Sequence, residues 1–224
     1  MKLLYLARFT RFDILFAVTV LSSKCSAPNQ QDFDDMIRVL RYLRHTPNKC
    51  LVFVRDVDCS DDGIPTLRIW GDASHGLHPD GRGHGAIGVT AGSAPLAVKS
   101  WKIKHVCLSS TEAEISVGSE ACALNDWFVL LFSEIGIPQS QPTVIYQDNK
   151  SAILMHEQGH GSHKRSKHMI IRREFIKEHI DALRVRLVHL KTTRMWVDMM
   201  TKAIQSPELE KFLEFAHLLD VYYE

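Results

Sequence analysis

The sequence predicts a mixed α/β fold, a β-sheet with helices on its faces, preceded by a short helical segment. A stretch with helical apolar periodicity gives way near residue 50 to short strand-like runs separated by turns. From about residue 110 onward, helical and strand-like patterns alternate. Successive strands followed by alternating helices and strands are typical of a mixed sheet covered by helices.

Two helices are predicted in the first fifty residues. The first is a buried helix from about Asp13 to Ser23, and no apolar run reaches the ~18 to 20 residues that span a membrane. The second ends before Pro47. Its apolar residues recur at three and four positions and form one stripe of Phe33, Met36, Ile37, Leu40 and Leu43.

The same N-terminal stretch has some features of a secretory signal peptide. Early positive charge precedes an apolar run from Ile14 to Leu21, and small residues follow it. Arg8, Arg11 and Asp13 crowd that run and separate it from the preceding apolar residues, which favours the buried helix.

Composition constrains the setting of the protein. Of the 224 residues, 45% are hydrophobic, which is enough to bury a sizeable core. The formal net charge of +1 means that a nucleic-acid-binding surface, if present, is local. The five cysteines are scattered and include no C-x-x-C pair, which favours a reducing, intracellular compartment, cytoplasmic or nuclear.

The strand and helix patterns follow in order after a boundary near residue 50. "KCLVFVRDVD" and "TLRIWGDASHG" are predicted strands around a turn-rich loop, and "HGAIGVTAG" and "APLAVKSWKIK" continue them as a meander. The predicted elements after the meander are a helix over about 110–136, a strand over 142–148, a helix in "NKSAILMHEQ", a basic helix over about 166–182, a strand in "LRVRLVHLK" and a last helix from about Thr193.

Two glutamates near the start of the long helix are distinguished by geometry. At roughly 100° per residue, Glu112 and Glu114 point roughly 160° apart, and Glu114 lies on the apolar side of the wheel. Glu112 stands three residues after Ser109, as in a capping box. Glu114 has the same spacing from Thr111, but a carboxylate on an apolar face requires a partner. We expect Glu112 to cap the helix and Glu114 to face a metal ion or another buried group.

Three further acids are candidates to join Glu114. Asp72 lies within a predicted strand, where Asp is depleted, although a solvated turn would also account for it. Asp148 follows a strand, where open sheets bind ligands, and it could equally cap the next helix. Asp198 falls in the second turn of the last predicted helix and could be a surface acid.

Several ordered motifs resemble a known family. "GDASHG", "SWKIKHVCLSSTEAEISVGSEAC", "VIYQDNKSAI", "RSKHMIIRREFIKEHI" and "VDMMTKAI" are similar, in order and separation, to the ribonuclease H domain of copia-type retrotransposon Pol polyproteins. The preceding "LLYLARFTRFDILFAVTVLSS" and "RVLRYLRHTPNKCLVF" resemble the segment that joins reverse transcriptase to that domain. The resemblance covers about residues 2–204.

The resemblance implies a fold and an activity. The fold would be a ribonuclease H-like mixed five-stranded sheet over 51–205, with a helical connection segment over 1–50 and a helical tail over 206–224. The acidic quartet would be Asp72, Glu114, Asp148 and Asp198, which act as both catalytic residues and metal ligands. The activity would be two-metal hydrolysis of the RNA strand of an RNA–DNA hybrid with Mg²⁺ or Mn²⁺.

Residues 160–179 form a locally basic segment that contains six Lys or Arg and two Glu. Phosphate contacts would account for this charge, and so would a solvated helix face with ion pairs such as Glu174 to Lys177. With the resemblance, the expected nucleic-acid contacts are Asn149, Lys164, Arg165, Lys167, His168 and Arg172.

The chain also departs from the family pattern. Phe12 stands where the family has Pro, the motif around Phe33 and Asp34 lacks the usual His, and there is no polymerase "Y-x-D-D" motif. "LKTTRMWVD" lacks the His that many cellular ribonucleases H carry before the last helix. An inactive ribonuclease H-like module that binds nucleic acid or joins a larger assembly, such as one with reverse transcriptase through residues 1–50, is therefore the alternative function.

A zinc-protease motif is also present, because "HEQGH" from His156 to His160 satisfies H-E-x-x-H. That motif requires one helix through both histidines. Gly159, Gly161 and Ser162 predict that the helix ends there, which argues against zinc binding.

Overall fold

The computed structural model of the protein describes residues 1–54, 63–93, 95–158 and 167–222, with the side chains of 156–158 left out. The helices in this part of the chain are α1 (Lys2–Phe9), α2 (Leu15–Ser22), α3 (Gln30–His45), α4 (Ser110–Glu134), α5 (Lys150–Gln158), α6 (Lys167–Asp181) and α7 (Ser206–Phe215). The strands are β1 (Lys49–Leu51), β2 (Leu67–Ser74), β3 (His84–Ala91), β4 (Pro95–Lys102), β5 (Thr143–Gln147), β6 (Val185–His189) and β7 (Leu218–Asp220). Three short 3₁₀ segments are Phe12–Ile14, Thr192–Arg194 and Trp196–Met200.

Five strands form the predicted mixed sheet, in the order β4-β3-β2-β5-β6. β2, β3 and β4 are the predicted antiparallel meander. β5 runs parallel to both β2 and β6. The expected mixed five-stranded sheet flanked by helices is confirmed by this architecture.

Helix α4 packs closely on the sheet because two strand glycines leave room for it. A Cβ atom at Gly71 in β2 would lie 3.0 Å from Val117, and one at Gly85 in β3 would lie 2.8 Å from the same side chain. Val117 is fully buried in a core cluster with Ile69, Ile87 and Ile145. This close approach brings the first turn of α4 over the carboxyl end of β2.

The N-terminal helices and the C-terminal segment share a second core cluster. Phe12, Leu15 and Val18 pack with Phe212 and Leu213 of α7 and with Trp196. β1 pairs with β7 in a separate two-stranded sheet. The strand predicted in "KCLVFVRDVD" is present over Lys49–Leu51, but it is not part of the meander, and residues 55–62 lie outside the described ranges. The division at residues 50 and 205 stays a prediction.

One described helix, α4, is long and apolar enough to cross a membrane by length and composition, so the expectation that no apolar run reaches that length is wrong. Its apolar character has another explanation, because 56% of the relevant window is buried inside the protein. α4 contacts β2, β3 and α6 and is the central helix of the core.

Candidate active site

Two of the four candidate acids meet at one edge of the sheet. Asp72 is near the carboxyl end of β2, and Asp148 directly follows β5. The parallel register pairs Trp70 with Tyr146, so two residues further along each strand Asp72 comes level with Asp148. This edge is where open α/β sheets bind ligands. Asp72 is 6% exposed, whereas Asp148 is only partly buried.

The two glutamates of α4 have the separate roles that the helical wheel predicts. The Oγ of Ser109 accepts the backbone N–H of Glu112 at 3.2 Å, and Glu112 Oε2 accepts the N–H of Leu108 at 2.8 Å. Glu112 therefore caps the helix start. Glu114 is 3% exposed, and its Oε1 accepts the N–H of Ala73, next to Asp72, at 3.1 Å.

Asp198 differs from its predicted setting. The expected last helix from Thr193 is replaced by two short 3₁₀ segments, and Asp198 lies in the second, Trp196–Met200. It is fully buried, so its interpretation as a surface acid is wrong. The segment is anchored by the buried ring of Trp196, which packs on the sheet at Gly88, and a long regular helix would move that ring.

The acids converge closely enough to change one another's ionisation. Oxygens of Asp72, Glu114 and Asp148 all lie within 4.8 Å of one another. Burial, followed by the charges of Asp72 and Asp148, raises the pKa of Glu114 well above its usual value. Burial also raises the pKa of Asp72, and burial with the charge of Asp72 raises the pKa of Asp198 to about 8. Asp72, Glu114 and Asp198 thus each favour the protonated form more than a free carboxyl group does.

This set of donors is compatible with a divalent metal ion. Glu114 Oε2 and Asp198 Oδ1 are buried and have no hydrogen-bond partner among the described residues. A buried carboxylate oxygen without a partner is costly, and a cation would remove that cost. All the candidate ligands are carboxylate oxygens, which hard cations prefer.

Four residues at the site were not predicted. Thr201 donates its hydroxyl hydrogen to Asp72 Oδ2, and Thr192 donates to Asp148 Oδ2 at 2.8 Å. Lys202 Nζ lies 2.6 Å from Asp198 Oδ2. Gln147, which is fully buried, donates to the backbone carbonyl of Glu114 at 3.4 Å. Of these four residues, only Lys202 could have been found from the sequence, because it stands four residues after Asp198, a spacing that allows an ion pair within a helix.

Asn149, and not Asp148, caps helix α5. The Oδ1 of Asn149 accepts the N–H of Ala152 at 3.1 Å. The capping alternative for Asp148 is therefore wrong, and its carboxylate is left for the acidic cluster. The predicted nucleic-acid contact of Asn149 stays a prediction.

The other predicted nucleic-acid contacts lie on or before α6. Lys164 and Arg165 are outside the described residues, whereas Lys167 and His168 are exposed in the first turn. Arg172 Nη1 donates to Ser119 Oγ on α4 at 2.6 Å.

Ion pairs on α6 involve other residues than those expected. Arg173 pairs with Glu174 at 3.1 Å, and Lys177 pairs with Asp181 at 2.9 Å. Both pairs lie beyond the first turn of α6.

A basic groove adjoins the first turn of α6. The rings of His105, in the loop before α4, and His168 lie 5.0 Å apart. The groove has a volume of about 360 Å³, and its charged lining residues are Lys99, Lys102, Lys104, Arg172 and Glu120. Two of these lysines are in ion pairs, Lys99 with Glu120 and Lys102 with Asp80.

The zinc-protease motif lies largely outside the described residues. α5 is described as far as Gln158, and the residues at which its end is predicted lie outside the described ranges. The side chain of His156 and the whole of His160 are not described.

The sequence has relatives among retrotransposon polyproteins. It is 32% identical over 211 residues to the Retrovirus-related Pol polyprotein from transposon RE1 of Arabidopsis thaliana, covering 94% of this chain and 14% of that protein. It is 30% identical to the corresponding protein from transposon TNT 1-94 of Nicotiana tabacum, covering 93% of this chain and 15% of that protein. The chain therefore spans about one seventh of these relatives. No protein-family model matches it.

Solved structures show a likeness of fold. The foamy viral protease-reverse transcriptase dRH in complex with double-stranded DNA aligns over 85% of this chain and 31% of its own, with a TM-score of 0.50 and 14% identity. LC11-RNase H1 aligns over 57% of this chain and 86% of its own, with a TM-score of 0.43 and 12% identity. The homologues of this chain are thus copia-type retrotransposon Pol polyproteins, which match 94% of its length at 32% identity, and its fold is ribonuclease H-like.

Proposed function

We propose that the protein is an endoribonuclease that hydrolyses the RNA strand of RNA–DNA hybrids. The observation that carries this proposal is the convergence of Asp72, Glu114 and Asp148 within 4.8 Å, with buried Asp198 beside them. Buried carboxylates that raise one another's pKa are typical of functional sites. The similarity to retrotransposon Pol polyproteins supports the same activity.

The proposed cofactor is Mg²⁺, with two ions bound and Mn²⁺ as a substitute. Two such ions supply an activated water and stabilisation of the leaving oxygen in an in-line displacement. Glu114 Oε2 and Asp198 Oδ1 are the described buried oxygens best placed to act as ligands, since neither has a partner among the described residues. Thr201 and Thr192 hold Asp72 and Asp148 in place by hydrogen bonds.

The proposed hybrid-binding surface combines the first turn of α6 with the loop before α4. Lys104, Lys167, His168 and Arg172 would contact phosphates, and the loop that carries Lys104 and His105 leads directly into the helix that carries Glu114. Phosphate contacts fix the register of a duplex on a protein, and 2′-hydroxyls allow RNA to be distinguished from DNA. Lys164, Arg165 and Asn149 complete the proposed set.

The experiment is a cleavage assay on a labelled RNA–DNA hybrid, with matched RNA–RNA and DNA–DNA duplexes as controls. Cleavage of the RNA strand is expected with Mg²⁺ or Mn²⁺, and none with EDTA. Asp72→Asn and Asp148→Asn should abolish it, while hybrid binding and the circular-dichroism spectrum are retained. Protein that binds the hybrid and leaves it intact with either metal would be the inactive binding module instead.

We also propose that residues 1–50 dock on an upstream part of a Pol polyprotein, such as its reverse transcriptase. A groove of about 780 Å³ in this segment is lined mainly by apolar side chains, including Leu4, Val18, Leu21 and Phe33. Phe33 is 52% exposed. Exposed apolar patches of this kind mark interaction sites. Binding to a separately expressed upstream segment should be lost in Phe33→Glu, and equal binding by the variant would contradict the proposal.

The proposed place of action is intracellular, in the cytoplasm or nucleus. The described cysteines Cys25, Cys50, Cys107 and Cys122 are all free thiols. Free thiols are typical of proteins in reducing compartments.

A further inference from the structure

A buried pair of histidines lies outside the acidic site and plays no part in the function proposed above. His78, in the hairpin between β2 and β3, is 7% exposed, and His84, at the start of β3, is fully buried. His78 Nε2 lies 3.0 Å from His84 Nδ1, and His84 Nε2 lies 2.7 Å from the hydroxyl of Ser100 in β4. The hydroxyl of Ser100 donates in turn to the backbone carbonyl of Met200 at 2.8 Å. These three side chains form what we call the histidine–serine chain.

The direction of every hydrogen bond in the histidine–serine chain follows from the number of hydrogens that each group can donate. A serine hydroxyl has one hydrogen, and Ser100 gives it to the Met200 carbonyl, which can only accept. Ser100 must therefore accept from His84 Nε2–H. With that nitrogen protonated, Nδ1 of neutral His84 is an acceptor and receives the Nε2–H of His78. All the donors thus point toward Met200.

Both histidines are held in the neutral form that this direction requires. Burial and then the neighbouring His78 lower the pKa of His84 to about 4. Burial lowers the pKa of His78 as well. The ring of Phe16 from α2 packs edge-on against His84 at 5.2 Å and closes the site on the side of the helical segment.

The histidine–serine chain ends on the 3₁₀ segment that carries Asp198. Met200 is the last residue of the 3₁₀ segment Trp196–Met200. At the other end of the segment, the ring of Trp196 occupies the space at Gly88, where a Cβ atom would overlap it. Asp198 lies between these two anchors. Thr201, which follows Met200, donates its hydroxyl hydrogen to Asp72. Displacement of the Met200 carbonyl would therefore move both Asp198 and the hydroxyl of Thr201 relative to Asp72.

A short 3₁₀ segment needs such support. Its hydrogen bonds have poorer geometry than those of an α-helix, and the carbonyls at its end have no partner within the segment. A buried carbonyl without a partner costs free energy, and a fully satisfied buried polar network makes one arrangement rigid. The histidine–serine chain thereby supplies the partner for Met200 from two neighbouring strands.

We infer that His78, His84 and Ser100 are positioning residues, which hold Asp198 and Thr201 against Asp72 in the geometry that binds the metal ion. The inference rests on the proposed function, because it concerns the same metal site. It adds to that function three residues that are not themselves ligands, one in the β2–β3 hairpin, one in β3 and one in β4.

The test measures binding of Mn²⁺ alone by titration calorimetry, together with hybrid binding in EDTA. Ser100→Ala should weaken Mn²⁺ binding about tenfold, since residues that orient metal ligands contribute 10- to 100-fold to affinity. Ser100→Thr retains the hydroxyl and should restore binding. Hybrid binding should be unchanged, because none of these three residues is among those proposed to contact the hybrid. Thr90→Val is the matched control, as it removes a buried β3 hydroxyl with no partner among the described residues.

A second pair of variants keeps the inference falsifiable if Ser100→Ala does not fold. His78→Leu removes the outermost donor and should weaken Mn²⁺ binding several-fold, whereas His78→Gln can donate in its place and should not. Wild-type Mn²⁺ affinity in folded Ser100→Ala or His78→Leu would overturn the inference and leave the proposed function intact. Failure of the wild-type protein to bind Mn²⁺ would overturn both.

Discussion

The ammonium of Lys202 lies 2.6 Å from the Oδ2 of Asp198, a carboxylate that is fully buried, whereas the lysine side chain is 43% exposed. Burial acts to lower the pKa of Lys202, but its hydrogen bond to Asp198 and the charge of Asp198 outweigh that effect and raise it. Lys202 is thus a cation supplied by the chain itself at a site where several carboxylates meet.

At pH 8.5, above the pKa of about 8 of Asp198, replacing Lys202 by Met should destabilise the metal-free protein by about 1–3 kcal/mol, because a buried carboxylate loses its partner and solvent screening reduces the loss. Mg²⁺ should restore more stability to this variant than to the wild type, since it replaces a missing positive charge. Thermal denaturation in EDTA and in Mg²⁺ measures both effects. Lys202→Arg retains the charge and should resemble the wild type, and an equal Mg²⁺ effect in all three proteins would refute the prediction.

The metal-free protein should lose stability as pH rises from 6.5 toward 8.5. The pKa of Asp198 is raised from 3.8 to about 8, so the stability that its neutral form contributes is fully present below about pH 4 and is lost as pH rises through about 8. Asp72 and Glu114 shift in the same direction. The gain in melting temperature from Mg²⁺ should therefore increase with pH. Asp198→Asn should flatten this dependence, and an equally steep profile in the variant would exclude Asp198 as its source.

The two glutamates of α4 provide a matched pair of variants. Glu114→Gln should reduce hybrid cleavage by about 100-fold or more, because it removes a charged ligand, while stability is retained or rises since a buried charge is lost. Glu112→Gln should leave cleavage intact and cost at most about 1 kcal/mol, because the amide oxygen can still cap the helix. Initial cleavage rates and urea denaturation are measured for both variants. Equal cleavage rates would contradict the assignment of Glu114 as a metal ligand and Glu112 as a helix cap.

The salt dependence of hybrid binding tests the surface on α6. The logarithm of the binding affinity falls linearly with the logarithm of the salt concentration, and each phosphate contact adds about 0.9 or less to the steepness of that line. Lys167→Gln should therefore reduce the slope by just under one. Lys177→Gln is the control on the same helix, because Lys177 pairs with Asp181 and should not affect the slope. Identical slopes for both variants would place the hybrid elsewhere.

The C-terminal segment should be necessary for stability. Leu213 is fully buried in the cluster that includes Phe12 and Leu15. Leu213→Ala should cost about 2–5 kcal/mol, because it leaves a cavity in a packed core. Glu214→Ala, at the neighbouring exposed position, should cost less than about 0.5 kcal/mol. Chemical denaturation compares the free energies of unfolding of the two variants. A negligible loss of stability in Leu213→Ala would mean that residues 206–224 form a separate tail.

Local patterns were sufficient to predict most of the helices and strands and the inward direction of Glu114. Helical periodicity and strand alternation depend on neighbours within a few residues, and so does the Ser109 cap. They were insufficient for the last predicted helix. There, the packing of Trp196 on the sheet outweighed the local preference of the segment around Asp198.

Sequence alone therefore established the order of the elements, the family resemblance and the four acids as candidates. Only the tertiary structure decided that Asp198 is buried and paired with Lys202, that Thr201 bonds to Asp72, and that His84 connects through Ser100 to Met200. It also decided that β1 pairs with β7. The physical reason is that these contacts, apart from the pair of Lys202 with Asp198, join residues far apart in the chain, so each depends on how whole strands and helices pack together.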